Sequence, residues 1–196
     1  MIVAFAGRRV DPPDTAQPRF PLWNAEMVTQ RLRTVVALLK PSAFVGSAAC
    51  GADLLALDVA RSLGCRRRIV LPCEAKQFRE FSVADCGGNW GAMFDALVQD
   101  ARGENDLVLI PYSADWSASI KAANARIIAE ALALAREAES IQNQITALIA
   151  WDGQPHSEDD FTQDFIDQVR AHDIPIVTIN TLHPMGYTGG TTDGCA

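Results

Sequence analysis

The chain has 196 residues, a formal net charge of -7 and 48% hydrophobic residues. This length suits one hydrophobic core, so we expect a single domain over residues 1–183 and a flexible Gly/Thr-rich tail over 184–196. No apolar run is long enough to span a membrane, and sequence-independent nucleic-acid binding is disfavoured because it needs a basic surface. The start of the chain, Met1–Ala6, is typical of a strand rather than a leader peptide, so the expected compartment is the cytoplasm.

Apolar runs and helical periodicity alternate along the chain. The predicted strands lie near 2–6, 43–46, 68–72, 106–110, 145–151 and 175–180. The predicted helices lie near 24–40, 52–63, 90–101, 118–140 and 159–172. Most strands are almost continuously apolar, as expected where helices cover both faces of a parallel sheet. The sequence therefore predicts an α/β fold, a Rossmann-like three-layer sandwich with a mainly parallel sheet of about six strands.

The five cysteines offer no recognisable pairing pattern. Their number is odd and no two have CxxC spacing, which argues against a disulfide framework and against a zinc ribbon. The three histidines show no metal-ligand spacing either. We therefore expect reduced cysteines, no bound metal and no cofactor. The cysteines are Cys50, Cys65, Cys73, Cys86 and Cys195.

The loop after the second predicted strand, 46–51, is rich in small residues and leads directly into a helix. Gly46 and Gly51 have the spacing of the glycines in a Walker A loop, but Ala52 and Asp53 replace its lysine and its serine or threonine. This difference argues against ATP or GTP hydrolysis and leaves anion binding by backbone amides. The alternative is a tight turn with a helix-packing glycine and no ligand.

Asp53, in the first turn of that predicted helix, has two interpretations. A carboxylate at a helix N-terminus caps exposed N–H groups and is stabilising there. Beside a bound phosphate the same carboxylate would be repelled. As a ligand-binding residue, Asp53 should therefore face a ribose hydroxyl.

Other candidate site residues follow the first and fifth predicted strands, because ligands of such sheets bind at the carboxyl ends of the strands. Gly7, Arg8 and Arg9 follow the first strand, and Trp151 ends the fifth. Glycine lets a ligand approach the backbone, arginine supplies positive charge, and tryptophan supplies a stacking face. These residues favour an anionic, aromatic ligand. The alternatives are surface pairing of the arginines with nearby aspartates and a core position for Trp151.

Four segments carry a resemblance to a known group of proteins: Phe5–Arg9, Gly46–Asp53, a strand ending at Leu71-Pro72, and Asn124–Ala129. Together they resemble the SLOG superfamily, which links DNA-processing protein A, the LOG phosphoribohydrolases and nucleotide-sensing domains of bacterial conflict systems. The similarity is closest to the sensor-like branch. There a Gly-Ala-Asp turn is followed by a segment like 78–83 of this chain and then by a tryptophan.

The resemblance implies a sensor-type domain that binds a nucleotide or a nucleotide derivative. Phosphate would be held by the glycine loops and by an arginine at the strand ends. Asn124 matches a position in a helical segment of DNA-processing proteins and joins the predicted site on that basis. The predicted ligand-binding residues are Gly7, Arg8, Arg9, Gly46, Ser47, Ala48, Cys50, Gly51, Asp53, Asn124 and Trp151.

The alternative function is hydrolysis or transfer at a nucleotide N-glycosidic bond, as in the LOG proteins. Those proteins carry a Pro-Gly-Gly-x-Gly-Thr-x-x-Glu segment, whereas this chain has the acidic segment 154–160 after its fifth predicted strand. Glu74, Asp152 and Glu158 are the candidate acids or bases for such a reaction.

The sequence also leaves a homodimer open. The helix predicted near 118–140 has more apolar positions than one narrow stripe needs, among them Ile127, Ile128, Ala131, Leu132 and Leu134. This helix could mediate dimerisation, or it could simply be packed in the core. The expected partner is otherwise a small nucleotide-like molecule.

Overall fold

The structure is a computed structural model that describes residues 1–86, 88–137, 145–156 and 160–182. These residues form one sheet covered by helices, which confirms the predicted α/β, Rossmann-like fold. The strands are β1 Ile2–Gly7, β2 Ala43–Gly46, β3 Arg66–Leu71, β4 Leu107–Leu109, β5 Ile145–Trp151 and β6 Ile176–Asn180. The helices are α1 Ala25–Leu39, α2 Ala52–Ser62, α3 Ala75–Ser82, α4 Trp90–Gly103, α5 Trp116–Glu137 and α6 Phe161–Ala171, with 3-10 turns at Leu22–Asn24 and Ala84–Cys86.

All six strands are parallel, and their order across the sheet is β4-β3-β2-β1-β5-β6. The first four strands are added in one direction, and the chain then returns to place β5 on the free edge of β1. The strand order therefore reverses between β1 and β5. In open α/β sheets the crevice for a ligand lies outside the carboxyl ends of the strands at such a reversal.

Alternation along β1 divides the core into two layers. Val3 and Phe5 are fully buried on one face of the sheet, which is covered by α1, α2 and α4. Ile2 and Ala4 lie on the opposite face, which is covered by α5 and α6. Each buried Val, Leu, Ile or Phe side chain stabilises the fold by about 1.5–3 kcal/mol relative to exposure. Both layers hold β1 firmly at the centre of the sheet.

Two differences from the prediction have a structural explanation. Strand β3 begins two residues early, because its first arginines are tied down by carboxylates: Arg66 Nε donates to Asp106 at 2.7 Å and Arg68 Nη1 donates to Glu130 at 2.6 Å. Helix α3 was not predicted, since it has only eight residues and buries a single large apolar side chain, Phe78. Short helices with so little periodicity give a weak signal.

Four of the apolar residues of α5 that left a homodimer open are buried in the chain's own core: Ile127, Ile128, Ala131 and Leu134. Their apolar character is therefore accounted for within one chain. No described helix is both long enough and apolar enough to cross a membrane. The tail predicted over 184–196 lies outside the described residues.

Candidate functional site

A cavity of about 390 Å³ lies at the carboxyl end of β1, beside the reversal of strand order. Its floor includes Phe5, Ala6 and Gly7, and its walls come from the chain that follows β1, from α3 and α5, and from the start of α6. Ligand pockets are typically about 300–1,000 Å³ and sit at this place in α/β sheets. The cavity therefore has the position and size expected of a small-molecule site.

One wall of the cavity is apolar and aromatic. It includes Phe78 of α3 together with Trp116 and Ile120 of α5. The Trp116 ring is held in place by other rings, with centroids 6.3 Å from Phe78 and 5.3 Å from Phe81 in an edge-on arrangement. Aromatic pairs at such separations are favourable beyond their buried area. Sequence reasoning missed this wall, although Trp116 starts the long helix that follows β4.

Gly51 allows the chain after β1 to lie directly against the start of α2. Its φ is +102°, and a Cβ there would lie 2.6 Å from the Val10 nitrogen and 2.8 Å from the Arg8 carbonyl oxygen. The Ala52 N–H donates to that same carbonyl of Arg8 at 3.0 Å. The glycine is therefore required by close backbone packing at the rim of the cavity.

We expect Gly51→Ala to lower the free energy of unfolding by about 2 kcal/mol, because a side chain at positive φ is strained and this one also meets backbone. Gly64→Ala is the matched control, since Gly64 also has positive φ, +71°, but has no atom within 4 Å of the added Cβ. Urea denaturation of both variants measures the difference. Equal losses in the two variants would contradict the packing role of Gly51.

The predicted phosphate loop already uses several of its own amides. Ala49 N–H donates to Asp53 Oδ2 at 3.3 Å, and Cys50 N–H donates to the Ser82 carbonyl at 2.9 Å. Ser47 and Ala49 line the cavity. Gly46, Ala48, Cys50 and Gly51 are instead buried behind its wall. The loop thus presents fewer amides to a ligand than its sequence indicates.

Asp53 is the most unusual side chain of the cavity. It is 6% exposed and lines the cavity, and its Oδ1 has no hydrogen-bond partner among the described residues. Burial raises the pKa of this carboxyl from 3.8 to about 7, although the N–H groups of Ala49 and Gly7 and the charge of Arg9 partly counteract that rise. A buried polar atom without a partner is costly. Such an atom, on a residue that lines a cavity of this size, is a candidate ligand contact.

Arg8 is engaged by the protein itself. Its Nε donates to Asp152 at 3.0 Å, its Nη1 lies 2.8 Å from Asp160, and its Nη2 donates to the Gln154 carbonyl at 2.7 Å. Its guanidinium also lies over the Trp151 ring, 5.7 Å from the centroid. Arg8 thus joins the end of β1 to the segment between β5 and α6. Trp151 contacts this arginine and is not among the residues that line the cavity.

Two other arginines give the cavity its accessible positive charge. Arg9 is half-exposed at the rim, where it pairs with Asp85 and donates to Cys86 Sγ at 3.3 Å. Arg19 also lines the cavity, and within the described part of the chain its guanidinium has no hydrogen-bond or ion-pair partner. Sequence reasoning did not single out Arg19, since it lies in the Pro-rich segment between β1 and α1.

The remaining candidates occupy different places. Asn124 lines the cavity, and its Nδ2 donates to the Phe161 carbonyl and to Asp164, which ties α5 to the start of α6. Asp152 binds Arg8 and lies 2.6 Å from His156 Nε2. Glu74 is exposed and is not among the lining residues. Glu158 lies outside the described residues.

The expectation that all cysteines are reduced is wrong for one pair. Cys50 and Cys86 form a disulfide, with their Cα atoms 6.5 Å apart, while Cys65 and Cys73 are free. The two partners are 36 residues apart in sequence. Only the folded chain brings the loop before α2 next to the Ala84–Cys86 turn, so spacing alone gives no signal for the bond. The disulfide lies in the wall of the cavity, since Cys86 lines it.

These features define an α/β protein with a ligand-sized crevice at its topological switch point. Comparison with protein-family models, with curated proteins and with solved structures finds no match.

Proposed function

We propose that this protein binds a nucleotide or a nucleotide derivative in the cavity at the carboxyl end of β1. One observation carries the proposal: the residues that line a single cavity include an aromatic wall together with Arg19 and Asp53, whose guanidinium and Oδ1 have no partner among the described residues. A nucleotide offers a matching anionic phosphate, a hydroxylated sugar and an aromatic base. The resemblance to nucleotide-binding SLOG domains supports the same ligand class.

In this proposal Arg19 and Arg9 hold the phosphate, because Arg19 has no partner in the described structure and Arg9 makes its contacts at the exposed rim. Arg8 is excluded from this role, since two carboxylates already neutralise it. The base lies against Trp116 and Phe78, where stacking is favourable. Arginine suits a phosphate partner because its planar fork can donate two hydrogen bonds at once.

Binding without cleavage is favoured over N-glycoside hydrolysis. A general acid or base needs to lie within hydrogen-bond reach of its substrate. Asp152 is held by Arg8 and by His156, and Glu74 is exposed outside the cavity. Neither of these two described candidates reaches a ligand in the cavity without rearrangement, and on that ground we favour a sensor-type role.

The proposal is tested by titrating the protein with AMP, GMP, CMP, UMP and ADP-ribose in a calorimeter, with chromatography of each mixture to detect released base. We expect binding of at least one of them without base release. Arg19→Ala should weaken that binding about 10- to 100-fold, the effect of losing a charged hydrogen bond.

Arg170→Ala is the control, because Arg170 is an exposed arginine of α6 that pairs with Asp167 and does not line the cavity. It should leave the affinity unchanged. No binding of any nucleotide in the panel would contradict the proposal. An equal effect of Arg19→Ala and Arg170→Ala on the nucleotide affinity would also contradict it.

A further inference from the structure

Asp53 poses a problem that phosphate binding does not solve. Its carboxyl is almost fully buried, Asp53 lines the cavity, and its buried Oδ1 has no hydrogen-bond partner in the described chain. Ionised, this group repels a phosphate, so the arginines and Asp53 must contact different parts of one ligand. The part that meets Asp53 has to supply a hydrogen-bond donor.

The environment of Asp53 narrows the choice of donor. The charged groups that line the cavity with it are Arg8, Arg9, Asp11, Arg19, Asp85 and Asp160. Arg8 and Arg9 are paired with Asp160 and Asp85, and the charge of Arg9 only partly counteracts the effect of burial on the pKa of Asp53. Because burial places the pKa of Asp53 near neutrality, both its protonated and its ionised forms are accessible.

A hydroxyl is the ligand group that fits both forms. It donates to an ionised carboxylate, and it can accept from a protonated carboxyl. An ammonium group fits only the ionised form, and a phosphate fits only the protonated one. In a nucleotide the hydroxyls belong to the sugar, which connects the phosphate to the base.

We propose that Asp53 binds a sugar hydroxyl of the nucleotide and makes the site selective for ribonucleotides over their deoxy counterparts. This inference rests on the proposed function, since it assigns one contact within the same cavity. Asp53 lies in the first turn of α2, next to Ala52, which packs against Gly7, whereas the aromatic wall is supplied by α3 and α5, so the sugar and the base contact different elements. A site built to bond a hydroxyl rejects an analogue that lacks it, because its polar group is then left unpaired.

The test compares each ribonucleoside monophosphate of the panel with its 2′-deoxy, 3′-deoxy and 2′,3′-dideoxy counterparts by calorimetric titration. The wild-type protein is expected to bind the best ribonucleotide about 10- to 100-fold more tightly than the counterpart lacking the bonded hydroxyl. In Asp53→Ala the two affinities should differ by no more than about threefold, because the variant has no carboxyl at this position to bond the hydroxyl.

Asp58→Ala is the matched control, since Asp58 belongs to the same helix but pairs with Arg61 and does not line the cavity. It should keep the wild-type preference. If the wild-type protein binds ribo- and deoxynucleotides equally well, the role of Asp53 is overturned while the proposed function stands. If no nucleotide binds at all, the proposed function fails and this inference fails with it.

Discussion

The free energy of unfolding of Asp53→Asn, relative to that of the wild-type protein, is expected to increase by about 4 kcal/mol as the pH rises from 4 to 8. Burial raises the pKa of the Asp53 carboxyl from 3.8 to about 7 in the folded protein, whereas the unfolded chain keeps the ordinary value. The folded state therefore binds the proton more tightly. A shift of about 3 units corresponds to about 4 kcal/mol, since each unit is worth about 1.4 kcal/mol.

The sign of this pH dependence follows from the protonation of Asp53 in the folded and unfolded states. Below pH 4 the carboxyl is protonated in both states, and its stabilising contribution is fully present. As pH rises from 4 through 7 the unfolded chain ionises while the folded protein keeps the proton, so this contribution is lost progressively, and above 7 both states are ionised and the loss is complete. The asparagine side chain does not titrate, so only the wild-type protein loses stability over that interval on account of this residue.

Denaturant unfolding at several pH values measures this difference, because other titrating groups contribute equally to both proteins. Asp58→Asn serves as the control, since Asp58 is a partly exposed residue of the same helix. Its difference from the wild-type protein should change little with pH. A flat difference for Asp53→Asn as well would show that the Asp53 carboxyl is not buried as the structure places it.

Arg8→Met should destabilise the protein by about 3–5 kcal/mol at pH 7, the cost of leaving buried charge without its partner. The arginine is the shared partner of Asp152 and Asp160, whose side chains are only 4% and 2% exposed. Burial alone would raise the pKa of Asp160, but the Gln163 N–H, the Arg8 guanidinium and the His156 N–H hold it below its usual value. Methionine keeps much of the apolar stem and removes the charge.

Arg9→Met is the matched control for this experiment. Arg9 is the next residue in the chain, but its pair with Asp85 is exposed on both sides, and such pairs contribute about 0–1 kcal/mol. The loss in Arg8→Met should also shrink at low pH, where the Asp160 carboxylate becomes protonated. Urea denaturation measures the loss of stability in both variants. A loss in Arg8→Met no larger than that in Arg9→Met would contradict the stabilising role of the ion pairs between Arg8 and the two buried carboxylates.

The fold was largely predictable because its signals are local. Continuous apolar strands such as β5 and amphipathic helices such as α1 repeat their patterns over enough residues to be recognised. The position of the cavity was also predictable, since a parallel sheet places the loop after β1 and the loop after β2 at one edge. Gly7, Arg9, Ser47 and Asp53 do line that cavity.

The partners of the charged side chains were not predictable. Arg8 lines the cavity, but the carboxylates that bind it come from residues 144 and 152 positions further along the chain. Arg19 was not predicted as a site residue, because nothing in a Pro-rich segment indicates that it lines the cavity. Such pairings depend on which loops meet in three dimensions, and the chemistry of a single segment does not contain that information.

The bond between Cys50 and Cys86 means that this cavity has two covalent forms, one for each redox environment. Glutathione and thioredoxin keep thiols reduced in the cytosol, while disulfides persist in oxidising compartments. In the oxidised form the turn carrying Asp85 is fastened to the loop that holds Asp53, and in the reduced form two thiols replace that fastening. The compartment that houses the protein therefore decides how rigidly this wall of the cavity is held.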